Sequence, residues 1–154
     1  MNNPRATASV LLVAVLAATT ACRAEPKVII FTKAERQVSF VVEIADTAAK
    51  RAMGLQYRRD LAASRGMIFL FPVQAVHSFW MKNTPIPLDM IFIDADLKIV
   101  GIVEQTVPYS LDSRSVTSPS RFVLEINGGL SRHFGIQSGD SVRFEGIAVE
   151  SARP

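Results

Sequence analysis

One cysteine, Cys22, is all this chain of 154 residues contains, so no intramolecular disulfide can form and the fold rests on its core. Histidine is nearly as scarce. His77 reads as a strand-end residue and His133 as a helix-surface residue, and no Gly-x-Ser-x-Gly is present, so nucleophilic catalysis has no marked site. Charge is scattered. The net value is +3 and no run of like charge is longer than Lys50-Arg51 or Arg58-Arg59, which argues against a nucleic-acid-binding face. There are no internal repeats. The longest apolar run, Val10 to Ala18, falls well short of the roughly 20 residues that cross a bilayer.

That short run has its own meaning. Arg5 precedes it and Thr19-Thr20-Ala21 follows, which is the pattern of a secretory signal peptide over residues 1–24. The expected destination is the periplasm or cell envelope. Cys22 sits where lipoproteins are cut and lipidated, although the box lacks a leucine three residues before it. Ordinary cleavage after Ala21 or Ala24 fits equally. Membrane contact would then come only through a lipid on Cys22. Residues 25–154 remain as one domain, and roughly 130 residues are enough for a self-sufficient core.

Strand signals dominate this domain. Lys27 to Thr32 and Gln37 to Ile44 are short strands, the second alternating Val38, Phe40, Val42 and Ile44 with polar neighbours. Asp46 is a candidate N-cap for a short early helix from Thr47, interrupted at Gly54. Gly66 to Phe71, Lys98 to Glu104, Arg121 to Asn127 and Ser141 to Val149 follow as strands, with one helical turn expected near Leu130 to Phe134. A three-residue turn at Ala95-Asp96-Leu97 would put Leu97 in the left-handed region, at a cost of about 1 kcal/mol. Thr106 to Ser120 has no period and is long enough for a functional loop. The fold class expected is all-β, a single antiparallel β-sandwich of jelly-roll type.

The most informative stretch is Phe79-Trp80-Met81-Lys82-Asn83-Thr84-Pro85-Ile86-Pro87-Leu88-Asp89. A hairpin turning at Pro85 and Ile86 would set Lys82 opposite Asp89 and Met81 opposite Met90. Ser78, Trp80, Lys82 and Asp89 would share one face, while Phe79, Met81, Leu88, Met90 and Phe92 would face the core.

With Arg51-x-x-Gly54-Leu55-x-Tyr57-Arg58, Gly66-Met67-Ile68-Phe69, Val123-Leu124-Glu125 and Gly139-Asp140, this motif resembles the domain of unknown function 192 family over residues 40 to 145. The resemblance implies a compact all-β domain like a jelly-roll sandwich, and it implies no reaction. Gln56 and Leu97 depart from the family pattern, which usually has an apolar residue and a glycine there.

Three chemistries compete for these residues. Copper(I) could use Met53, Met67, Met81, Met90 and His77, but His77 and Met81 would stand about 13 Å apart on one strand. No metal site and no cofactor are therefore expected. A hydrolase could use Asp89 and Glu125 as acid and base; alternatively Asp89 neutralises Lys82, Glu104 an arginine, and Glu125 accepts from Asn or backbone donors. A binding surface would use the Trp80 indole with Lys82, Asn83, Asp89, Glu125 and Asn127 to hold a polar small molecule or envelope component. Trp80 could equally fill the interior. Non-catalytic binding is the preferred reading, with the hydrolase and an envelope accessory that docks to another protein as alternatives.

Overall fold

A computed structural model describes residues 24–151. The leader and the lipidation reading at Cys22 therefore lie outside the described residues, apart from Ala24.

Seven strands and two short helices follow in the order β1 (Lys27–Phe31), β2 (Gln37–Ala45), α1 (Ala48–Met53), β3 (Arg65–Ala75), β4 (Leu88–Ile93), β5 (Ile99–Val103), β6 (Ser120–Asn127), α2 (Leu130–Phe134) and β7 (Ser141–Glu145). They build one sheet in the order β5-β4-β6-β3-β2-β1-β7. This corrects the expected sandwich. The strands curl into a half-barrel, and β2 and β3 run parallel. The connection permits the parallel pair. Residues 46–64 cross over through α1 and are long enough to carry the chain back to start β3 in the direction of β2. The other strand pairs are antiparallel.

The curl brings the two edge strands together at one end. Lys98 bridges Ser141, Ile99 N–H donates to the Asp140 carbonyl at 3.0 Å, and Val142 N–H to the Leu97 carbonyl at 2.8 Å. These bonds leave less unpaired edge for another chain to join. Leu97 does adopt φ 58°, and the Asp94 carboxylate holds the turn by accepting from Asp96 and Lys98 N–H.

Both faces of the central strands are buried. The concave face carries Ile30, Phe40, Ile68, Leu70, Ile91, Phe122 and Leu124, with Leu130 and Phe134 of α2 packed against it. The convex face carries Met67, Phe69, Met81, Leu88, Met90, Phe92 and Val123, covered by loops. Period-two alternation thus sorts two cores rather than a core and a wet face. Where Gly66 of β3 pairs with Ile126 of β6 only a glycine fits. A Cβ on Gly66 would lie 2.5 Å from the Glu125 carbonyl oxygen.

The cap of α1 falls one residue later than expected. The Thr47 hydroxyl accepts from Lys50 N–H at 3.3 Å, and Asp46 pairs with the Lys50 ammonium at 2.7 Å.

Candidate functional site

The central motif is not a hairpin. β4 has only two edges, and β5 and β6 occupy both, so residues 77–83 have no place beside it. They lie instead along the 104–119 loop. Phe79 and Arg114 exchange both backbone hydrogen bonds, at 2.9 and 2.7 Å, and Met81 N–H donates to the Ser110 carbonyl at 2.9 Å. The Thr106 hydroxyl reaches the Leu88 carbonyl at 2.9 Å and the Met81 sulfur at 3.2 Å. The expected alternation survives the change of partner. Phe79 and Met81 pack inward, while Ser78, Trp80 and Lys82 face out.

Lys82 and Asp89 consequently do not pair. Asp89 is fully buried, and its carboxylate accepts from the N–H groups of Gln105, Gly129 and Ser131, each at 2.8 Å. It ties the loop at Gln105 to the start of α2 and presents nothing to a ligand. The Lys82 ammonium lies over the Trp80 ring, 5.2 Å from its centroid.

The other expected binding residues divide. The Asn127 amide donates to the Leu61 carbonyl and anchors the segment before β3. Asn83, at φ 53°, donates from Nδ2 to Gln56 Oε1 at 3.1 Å and to the Tyr57 hydroxyl at 2.8 Å. Glu104 pairs with Arg132 at 2.6 Å on the surface. Only Trp80 and Glu125 line a common hollow.

That hollow is a cleft of about 360 Å³ on the convex face, walled by the α1 turn, by Phe69 and Phe71 of β3, and by Phe79 and Trp80. Gly54 ends α1 at φ 50°, and a Cβ there would press within 3.3 Å of the Phe69 ring. Trp80 is 53 % exposed and forms the outer wall. Glu125 projects from the middle of β6 between Met90 of β4 and Met67 of β3. It is 4 % exposed, and no hydrogen bond or ion pair reaches its carboxyl from the described residues. The expected Asn or backbone donors do not arrive. Burial alone pushes this carboxyl up to about 8, so it is largely protonated at neutral pH.

Arg51 is the second charged residue lining the cleft. Its Nη1 donates to the Leu70 carbonyl at 3.0 Å, and its guanidinium lies over the Phe71 ring. His77 stacks on Phe71 at 3.5 Å between ring centroids, and burial lowers its pKa.

The acid–base pair does not survive this geometry. Met90 stands opposite Glu125, while Asp89 stands opposite Ile126, so the two carboxyls project from opposite faces. Among the described residues no three His, Cys, Asp or Glu side chains are grouped to hold a metal ion.

The DUF192 family model (Uncharacterized ACR, COG1430) matches residues 29–144. The chain belongs to this family. A UPF0127 protein of Pyrococcus horikoshii is 25% identical over 111 residues, covering 67% of this chain and 86% of that protein. The crystal structure of a protein of unknown function from Novosphingobium aromaticivorans DSM 12444 is similar at TM-score 0.73 and 39% identity, over 76% of this chain and 83% of that one. That of a proposed transcription regulator from Sinorhizobium meliloti 1021 is similar at TM-score 0.77 and 37% identity, over 81% and 97%.

Within this DUF192 domain, four motifs that are distant in sequence converge on one cleft. Arg51, Gly54 and Leu55 come from the first, Phe69 from the second, Phe79, Trp80 and Thr84 from the central one, and Glu125 from Val123-Leu124-Glu125. Arg51, Gln56, Phe69 and Phe71 were not legible as site residues. The signal available was the spacing Arg51-x-x-Gly54, which places a cation one helical turn before a forced chain reversal.

Proposed function

We propose that this DUF192 protein is a non-catalytic binding module for a small polar molecule, exported to the cell envelope, with the convex cleft as its site. The observation that carries the reading is the Glu125 carboxyl. A buried acid with no partner among the described residues, opening into a cleft, is costly to the fold and suited to a ligand that completes its hydrogen bonds. The cleft volume of about 360 Å³ falls within the range of small-molecule sites. Aromatic walls with a few polar groups suit a compact ligand with an apolar body. Export rests on the leader-like residues 1–24.

The regulator role proposed for the Sinorhizobium protein is not adopted here. Among the described residues the α-helices, six and five residues long, do not supply a groove-reading helix, and the basic residues are scattered.

Trp80 is the sole tryptophan, so its fluorescence reports directly on the cleft. A ligand screen read by fluorescence and melting temperature should find compounds that change both. Trp80→Ala and Glu125→Gln should each lose that binding while remaining folded. Binding that survives both substitutions would place the site elsewhere.

A further inference from the structure

Resting on the cleft being a binding site, we propose that its occupant is a small organic cation, a primary ammonium on an apolar body, with the Glu125 carboxylate as counter-ion. The geometry favours a cation over an anion or a neutral molecule. Among the described residues Glu125 is the one acidic group lining the cleft, and it is 4 % exposed with open hydrogen-bonding capacity. Its flanking residues are apolar, Met90 on β4 and Met67 on β3. From α1 and the turn beyond it, Arg51 and Gln56 face the cleft. Gln56 is occupied, since its Oε1 accepts from Asn83 and its Nε2 donates to the Ala52 carbonyl at 2.8 Å.

Arg51 does not serve as the counter-ion. Its guanidinium is drawn to the Leu70 carbonyl and the Phe71 ring, and the rise in the Glu125 pKa is set by burial with no charged neighbour contributing. The His77 imidazole lies one ring away, stacked on Phe71.

The walls complete the argument. The Phe69 and Phe79 rings meet edge to face at 5.1 Å, and Trp80 closes the outer side. Aromatic faces attract a cation most strongly where water is excluded. Trp80 already holds one ammonium, that of Lys82, at 5.2 Å.

Binding has a proton balance. In the empty cleft Glu125 carries its proton; an entering ammonium ionises it, and the proton leaves to water. Affinity should therefore weaken as pH falls, with the apparent Kd rising about fiftyfold from pH 8 to pH 6 for a group titrating near 8.

The test compares benzylammonium, benzyl alcohol and benzoate, which share a body and differ in charge. Titrations of the purified protein would be followed by Trp80 fluorescence and by calorimetry in two buffers of different ionisation heat. The expected result is preferential binding of benzylammonium, with close to one proton released per ligand at pH 7. Glu125→Gln should weaken the cation by at least about tenfold and abolish the proton release that accompanies it. Preference for the alcohol or benzoate overturns the cation assignment and leaves the binding cleft standing. Cation binding with no proton release overturns the role of Glu125. No response to any of the three overturns the cation assignment and counts against the cleft itself.

Discussion

Asp89 and Glu125 sit on neighbouring strands, and Met90 rather than Asp89 stands opposite Glu125, so the two acids serve opposite faces of one sheet. Their environments differ as much as their directions. Asp89 accepts from three backbone donors, whereas none among the described residues reaches Glu125.

Asp89→Ala should cost about 2–3 kcal/mol in urea unfolding, because it strands the buried N–H of Ser131 and removes the acceptor of the part-buried N–H groups of Gln105 and Gly129. Lys82→Ala should cost under about 1 kcal/mol, since that ammonium is exposed and holds no carboxylate. Equal losses for the two variants would restore the discarded ion pair.

Stability should fall as pH rises from about 4.5 to about 8, the interval between the ordinary and the folded-state pKa of Glu125. Within it the unfolded chain has released this proton and the folded chain has kept it, so raising pH favours unfolding. The stabilising difference is whole below the lower value and lost through the upper one. Glu125→Gln should remove this slope and gain on the native protein by more than about 1 kcal/mol at pH 8. Chemical denaturation at pH 5 and pH 8 checks it.

Gly66→Ala should destabilise by about 3 kcal/mol or more, since the added methyl would meet backbone at 2.5 Å and neither strand can move alone. The oxygen it strikes belongs to Glu125, so ligand affinity should fall as well. Thermal melts and Trp80 fluorescence read the two effects separately.

Trp80→Ala should cost under about 1 kcal/mol, because the indole is 53 % exposed and fills no core space. A loss of about 3–5 kcal/mol, typical of a buried tryptophan, would make this residue architectural.

What the sequence revealed was local. The in-and-out order of Phe79, Trp80, Met81 and Lys82 is correct, as is the strained turn at Leu97, because both depend on a few adjacent residues. The Lys82–Asp89 pairing failed because a hairpin was inferred from proximity in sequence, and proximity does not say which strand takes an edge. Ser120–Asn127 takes the edge of Leu88–Ile93 across a separation of about thirty residues. The jelly-roll expectation failed for a related reason. Alternating apolar residues mark a buried face, and a sheet buried on both faces reads like two sheets. The family resemblance brought Arg51, Trp80 and Glu125 into its motifs without placing them on one surface.

The order β4-β6-β3 has a consequence for how the molecule is made. β3 and β4 are successive in the chain but not neighbours, and β6 must slide between them as a keystone. Until residues 120–127 emerge, both strands offer open edges and apolar faces to any other chain. A chain cut before Ser120 therefore leaves an open template for misassembly rather than a shorter version of the same domain. Vectorial synthesis therefore leaves β3 and β4 without the strand that joins them until β6 arrives.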